Sequence, residues 1–298
     1  MSDGVSRNSA KYWWLQCVAC SEASMTTQMR GFGLEEPVYE QGLHSFSGGF
    51  MHLGHACGLL TGAAMAAGFL AKERFDDNET RSAAALYATI QLAKAHAELT
   101  GSVNCRDITE IQLTTLSGRL RYLWEGKARM CGHLHLKWST KAHELIDKAL
   151  TEFEEHSPAR DCKNCAVNTL EKIVTSAEIE ENDSILVAGL AGGVGLLGNV
   201  CGAMSTGVYA MSVSHYLKQG GKKRDSRIQG SLHELVGARY RGSATQLRIE
   251  FIDCFGSELC TQITRRKFQN MEDHSAFIKQ GGCNDVIGFV TNWVNHRL

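Results

Sequence analysis

The stretch LAGGVGLLGNVCG, residues 190–202, follows the apolar run Ile185–Leu186–Val187–Ala188. Read alone, Gly193, Gly195 and Gly198 stand in the spacing of a dinucleotide-binding turn, which would make the chain a doubly wound α/β protein. The rest of the sequence argues otherwise. SGGFMHLGHACG, residues 47–58, fits the same pattern, GG-x4-G-x2-CG, without a gap. In that earlier copy Met51 occupies the place of the middle glycine. No second apolar strand follows Gly198, and no acidic residue comes before Asp225. The two copies share GG, G and CG, which a phosphate cradle does not need and a cysteine site does.

Working outward from these copies, the whole chain is written twice. Gly101–Ser102–Val103–Asn104–Cys105 matches Gly256–Ser257–Glu258–Leu259–Cys260, and the CxxC at Cys17–Cys20 matches Cys162–Cys165. A last Cys–Gly or Gly–Cys stands near each end, at Cys131 and Cys283. The ladder Cys20, Cys57, Cys105, Cys131 therefore repeats as Cys165, Cys201, Cys260, Cys283, and only Cys254 of the eleven cysteines has no counterpart. The boundary is expected at His156–Ser157–Pro158, giving repeats 1–156 and 157–298.

Helical periodicity dominates, and two prolines in 298 residues bar few segments from continuing a helix. The pattern predicts helices over Ala10–Gln28, His55–Lys72, Arg81–Leu99, Thr109–Glu125, Lys141–Glu155, Cys165–Ala177, Cys201–Leu217, Leu232–Tyr240, Ala244–Cys254 and His274–Asn295. Ile185–Val187 is the lone candidate strand. The expected fold is all-α: two tandem helical repeats in a pseudo-twofold relation, with glycine-rich loops before the CG helices. Those helices are dense in small residues, which lets neighbouring segments approach closely.

A net charge of −1 leaves no electrostatic footprint for nucleic acid. Basic clusters at Lys222–Arg224 and Arg265–Lys267 read as solvated faces or partner contacts. Gln41–Ala71 and Ser184–Leu217 lack charged side chains and are long enough to span a bilayer, yet glycines and polar groups interrupt both, so membrane insertion is not expected. The first residues carry no signal-peptide pattern, so a cytoplasmic location is expected. There, cysteines serve metals or redox chemistry more often than disulfides.

Four thiols per repeat is the count an iron–sulfur cluster or a structural zinc needs. Zinc sites usually pair ligands locally, whereas these cysteines are dispersed over about a hundred residues per repeat, which suits a cluster at the meeting point of several helices. Gly49, Gly54, Gly58 and their counterparts Gly193, Gly198 and Gly202 are the candidate residues lining such a cofactor. Covalent haem lacks its local histidine, because Ser21 and Ala166 follow Cys20 and Cys165. His44, His52, His55, His133 and His135 crowd the first repeat alone; they are ordinary polar residues or a different metal or haem ligand set, the former reading being favoured. Alternatives remain. The CxxC pairs suit a thiol–disulfide oxidoreductase or sensor, since a helix start lowers a thiol pKa, and a zinc- or haem-binding module is the third reading.

In the order of these motifs each half resembles the redox-active protein family named for four cysteines and a CGAxxG segment, the C_GCAxxG_C_C family. The departures are CGLLTG, with Leu59 for alanine, and CGAMST, with Thr206 for the last glycine. The family is in turn similar to the non-haem part of split-Soret cytochrome c, a dimer with an iron–sulfur site, which a tandem chain would imitate internally. The resemblance implies a redox or electron-transfer protein of anaerobic metabolism. It would hold a two-iron or four-iron cluster per repeat and exchange electrons with redox partner proteins, as a monomer or homodimer, with any oxidoreductase catalysis undecided. It implies Cys20, Cys57, Cys105 and Cys131 as one ligand set and Cys165, Cys201, Cys260 and Cys283 as the other, with Cys17 and Cys162 as substitutes.

Overall fold

The computed structural model describes residues 4–17, 19–156, 162–173, 179–218 and 239–298. The repeat boundary expected at Ser157–Pro158, the end of the helix expected over Cys165–Ala177, most of that over Leu232–Tyr240, and the Lys222–Arg224 cluster lie outside the described residues. Among them the protein is all-α, with two isolated β-bridges and no strand.

The first half runs α1 (Arg7–Gln16), α2 (Cys20–Gly31), α3 (Pro37–Gly42), a 3-10 turn (Leu43–Phe46), α4 (Gly58–Arg74), α5 (Asn78–Thr100), α6 (Cys105–Thr109), α7 (Leu116–Trp124) and α8 (Lys127–His156). The second runs α9 (Cys165–Glu171), a 3-10 segment (Glu181–Leu190), α10 (Gly202–Lys218), α11 (Arg239–Phe255), α12 (Cys260–Thr264), α13 (Met271–Lys279) and α14 (Asn284–Asn295).

Local chemistry sets these ends. Ser6, Asp77, Thr115, Asn164 and Asn270 each accept a backbone N–H at the start of a helix. Gly101, at φ +78°, turns the chain out of α5. Several expected helices are broken where the cysteines need it. Ala10–Gln28 is two helices, because Cys17 and Ala19 are extended and Cys20 opens a new one. Thr109–Glu125 shrinks to α7, since Glu110 turns left-handed after α6. Lys141–Glu155 begins fourteen residues earlier, taking Cys131 into α8. His274–Asn295 parts at Gly281–Gly282. Ile185–Val187 is 3-10 helix and no strand, packed against the helices α4, α5 and α9.

Two central helices, α4 and α10, are buried on almost every face, as helices apolar all round must be. α2 and α5 flank α4. The halves interlock through the segment that precedes each glycine-rich loop. Leu186 of the 3-10 segment lies so close to α4 that a Cβ at Gly68 would sit 2.6 Å from its carbonyl oxygen. In return Gly42 presses on α10, where an added Cβ would meet Val213 Cγ2 at 2.6 Å, and Ser45 Oγ lies 3.1 Å from Ser212 Oγ. Residues of both halves therefore share one hydrophobic core. No helix among the described residues is long and apolar enough to cross a membrane.

Candidate metal centre

The loop before each CG helix is wound left-handed. Gly48 to His52 and Gly54 all have positive φ, as do Gly192 to Leu196 and Gly198. Phe50, Met51, His52, Val194 and Leu196 adopt this conformation without being glycine, at a cost of roughly 1–2 kcal/mol each. Such strain concentrates at functional sites. The tight bend lets the chain return so that Cys57 N–H donates to Val103 O (2.7 Å) and Cys105 N–H to His55 O (2.7 Å). The second half repeats this, with Cys201 N–H on Glu258 O and Cys260 N–H on Asn199 O, both at 2.8 Å. The β-bridges Ala56–Asn104 and Val200–Leu259 are these two junctions.

Helix starts then present the thiols. Cys20, Cys105, Cys165 and Cys260 are the first residues of α2, α6, α9 and α12; Cys57 and Cys283 cap α4 and α14; Cys201 immediately precedes α10; Cys131 lies in the second turn of α8. Backbone N–H groups of Leu59 and Leu60 point at the Cys57 sulfur, and those of Ala203 and Met204 at Cys201. A helix N-terminus favours negative charge there.

The first four cysteines line one cavity of about 370 Å³, with Cys17 at its wall. Burial pushes the thiols of Cys57 and Cys105 well up, and negative charge on Cys20 and Cys131 pushes them further. Cys131 is raised by burial but relieved by a hydrogen bond from Tyr122 and by the charge of Lys127. In the second half burial raises Cys165, Cys260 and Cys283, each further raised by others of that set, Cys283 to about 12; burial alone raises Cys201. Each ladder of cysteines is thus brought near together, and the thiols that burial raises stay protonated unless a cation replaces the protons. None of the eleven cysteines forms a disulfide. Among the described residues no three His, Cys, Asp or Glu side chains stand close enough to hold a single metal ion.

The glycines have specific neighbours. A Cβ at Gly58 would lie 2.6 Å from Cys20 Sγ, so glycine there lets two thiol-bearing helices meet. Gly49 abuts His55 and Cys105, Gly54 abuts Arg106, Gly193 abuts Asn199, Gly198 abuts Thr261, and Gly202 abuts Leu190 O. Cys17 lies 3.9 Å from the Thr26 hydroxyl; Cys162 is buried and Cys254 exposed.

The histidines divide. His52 lines the cavity, His44 is buried and His133 exposed. His135 is buried against Trp14, with Nε2 3.2 Å from Ala10 O, and burial lowers it to about 4, so it is neutral. His55 Nε2 sits 2.8 Å from Glu258 Oε1, across the junction between halves. Arg248 also pairs with that carboxylate, and Asn199 Nδ2 donates to Asn104 Oδ1 at 2.8 Å beside it. Sequence reasoning missed Glu258, Tyr122 and Arg119. Glu258 had a signal, a lone charge inside GSELC where the first copy has Val103. Tyr122 and Arg119 had none, because the turn that aims α7 at the cavity is a tertiary feature.

Fold and site together define a helical, cysteine-rich redox protein in two copies. A family profile described as "Putative redox-active protein (C_GCAxxG_C_C)" matches residues 18–176 and again 161–297. The chain belongs to that family, as a tandem member. No curated protein and no solved structure matches it.

Proposed function

We propose that each half holds one iron–sulfur cluster on its four cysteines, and that the protein stores and passes single electrons to partner proteins. The observation that supports this reading is that in each half four cysteines from four separate elements come near one another, around one cavity in the first half. The fit to a cluster rests on the donor set and its spacing. Thiols dispersed along the chain and delivered near the starts of four separate helices suit a cluster at the meeting point of several helices better than the locally paired ligands of a zinc site. A bound cluster supplies reversible one-electron chemistry at a potential set by its surroundings.

This chain's own groups do the rest. The N–H groups of Leu59, Leu60, Ala203 and Met204 stabilise negative charge on Cys57 and Cys201. Tyr122 donates to Cys131. Surrounding apolar side chains exclude water and disfavour added charge. The thiol–disulfide alternative is weakened for the second CxxC by burial, because Cys162 and Cys165 are both inaccessible and Cys165 is raised far above the range of a reactive thiolate, whereas Cys17 and Cys20 are only part-buried.

Anaerobic purification followed by iron and sulfide quantification tests the reading. Bound iron with equimolar sulfide, a visible absorption band lost in a Cys57→Ala/Cys201→Ala double variant, is the expected result. Protein that takes up neither iron nor sulfide on anaerobic reconstitution, with its thiols titrating normally, overturns it.

A further inference from the structure

The two halves follow one plan but differ in how they cover their sulfurs. Placing Cys105 over Cys260 puts α7 over α13, two helices of nine residues each. In α13 the covering is complete: Met271, Ser275 and Ile278 are 8%, 4% and 6% exposed. Their counterparts Leu116, Leu120 and Leu123 in α7 are 66%, 59% and 63% exposed. Leu123 is both open to solvent and part of the cavity wall, so α7 lies at the mouth of the first site. The thiols agree, since Cys20 and Cys131 are half-buried while all four of the second set are buried.

The polar groups differ in the same sense. Tyr122, His52 and Arg119 line the first cavity. Phe277, Leu196 and His274 hold the corresponding places in the second half. The Phe277 ring closes on Gly282, where an added Cβ would lie 2.4 Å from it, next to Cys283. Leu196 folds back on Gly192, and His274 is buried edge-on against Phe268. A cation at one site is therefore replaced by a buried ring at the other. Arg119 gives its Nε–H to Leu113 O (3.0 Å), and no carboxylate among the described residues pairs with it.

The second set shows that four thiols can be enclosed without an opening, so the opening of the first needs its own reason. We propose that the first site binds a small anion, of the carboxylate or oxyanion class, beside its sulfurs, while the second site is closed to such a ligand. A cavity of about 370 Å³ is at the small end of ligand-binding pockets, about 300–1,000 Å³. The guanidinium of Arg119 supplies the charge that attracts an anion, and Leu113 and Leu123 supply a wall that strengthens that attraction by excluding water. The anion site needs only the cavity and Arg119, and so stands apart from the reading of the thiols as redox centres.

Alkylation of the metal-free protein with limiting iodoacetate or iodoacetamide, mapped by peptide mass, tests this directly. Cys20 and Cys131 are expected to be modified at least about tenfold faster than Cys165, Cys201, Cys260 and Cys283, because reaction follows access. The iodoacetate-to-iodoacetamide rate ratio should be higher at Cys20 and Cys131 than at exposed Cys254, which lies outside the cavity. Arg119→Gln should lower that ratio about threefold or more, the iodoacetamide rate serving as the reference for thiolate fraction, since attraction of the anionic reagent is removed; Arg119→Lys should restore it. Should Arg119→Gln fail to fold, protection of Cys131 by formate in the unaltered protein gives the same answer. Equal modification of both sets, a ratio no higher than at Cys254, or a ratio indifferent to Arg119 overturns the proposal. Iron bound by both sets alongside equal modification would remove the anion site and leave the cluster reading. Anion-selective modification in a protein that binds no iron would do the reverse.

Discussion

Gly62→Ala probes the contact on which the first site is built. Gly62 lies on the face of α4 that meets α2, one helical turn past Gly58. An added Cβ would fall 2.2 Å from the Ser21 carbonyl oxygen, 2.8 Å from Ser24 Cβ and 2.9 Å from Met25 N. Two of these three are backbone atoms of α2, which cannot rotate out of the way. Relief needs α2 to retreat by roughly 1 Å to reach ordinary van der Waals separation. Overpacking of this kind costs typically 1–3 kcal/mol, offset by about 1 kcal/mol from replacing glycine by alanine inside a helix. The 2.2 Å clash with a backbone oxygen places the cost in the upper half of that range, so the net expectation is a loss of about 1–2 kcal/mol. The same retreat draws Cys20, the first residue of α2, away from Cys57, so iron uptake by the first set should fall with stability.

Urea unfolding of the metal-free protein measures the first effect. A loss of that size moves the midpoint down by roughly 0.5 M at a slope of 2–3 kcal/mol/M. Gly288→Ala is the control: it lies inside α14, nothing stands within 4 Å of its added Cβ, and it should gain about 0.5–1 kcal/mol. If Gly62→Ala proves as stable as the parent while Gly288→Ala gains, the close approach of α2 and α4 is not what holds the site.

Four further expectations follow from single features. Thr206 is fully buried and its hydroxyl finds no partner among the described residues, so Thr206→Val should raise the urea midpoint by the equivalent of about 1 kcal/mol or leave it unchanged; a clear loss would show an unseen partner. Burial depresses His96 and His135 to about 4, against about 6.5 in an unfolded chain. Their neutral forms stabilise the fold fully above pH 6.5, and that contribution drains as pH falls towards 4. By pH 5 the loss is about 2 kcal/mol per histidine. His96→Gln should therefore flatten the acid limb of a stability–pH profile, and an unchanged limb would contradict the assignment. Glu258→Gln removes the charge that His55 and Arg248 share across the junction, and a drop of about 1–3 kcal/mol in unfolding free energy is expected. Tyr122→Phe makes the first site resemble the second at this position; chelator competition should show the first set's iron affinity falling about tenfold or more, with the second set unaffected.

Much of this was legible in the residues. The repeat, the pairing of cysteines and the helical class all follow from one-dimensional facts: gap-free GG-x4-G-x2-CG copies, and apolar residues spaced for helices. Helix ends were less legible where a cysteine sets them. Nothing local to Cys17 or Thr109 says that a helix must stop, since the requirement comes from sulfurs far along the chain. The 3-10 segment at Ile185–Val187 looks like a strand because a buried apolar run has no period of its own, and the α4, α5 and α9 surfaces packed against it fix its shape.

By itself, then, the sequence determined which residues recur and which element types they form, because spacing, capping and glycine placement act within a few residues of chain. Tertiary structure alone decided that the halves interlock through Gly42 and Leu186, that Glu258 reaches His55, and that α7 stands open where α13 is covered. Those outcomes depend on which surfaces meet across distances the chain spans only when folded, and a one-dimensional pattern holds no term for such meetings.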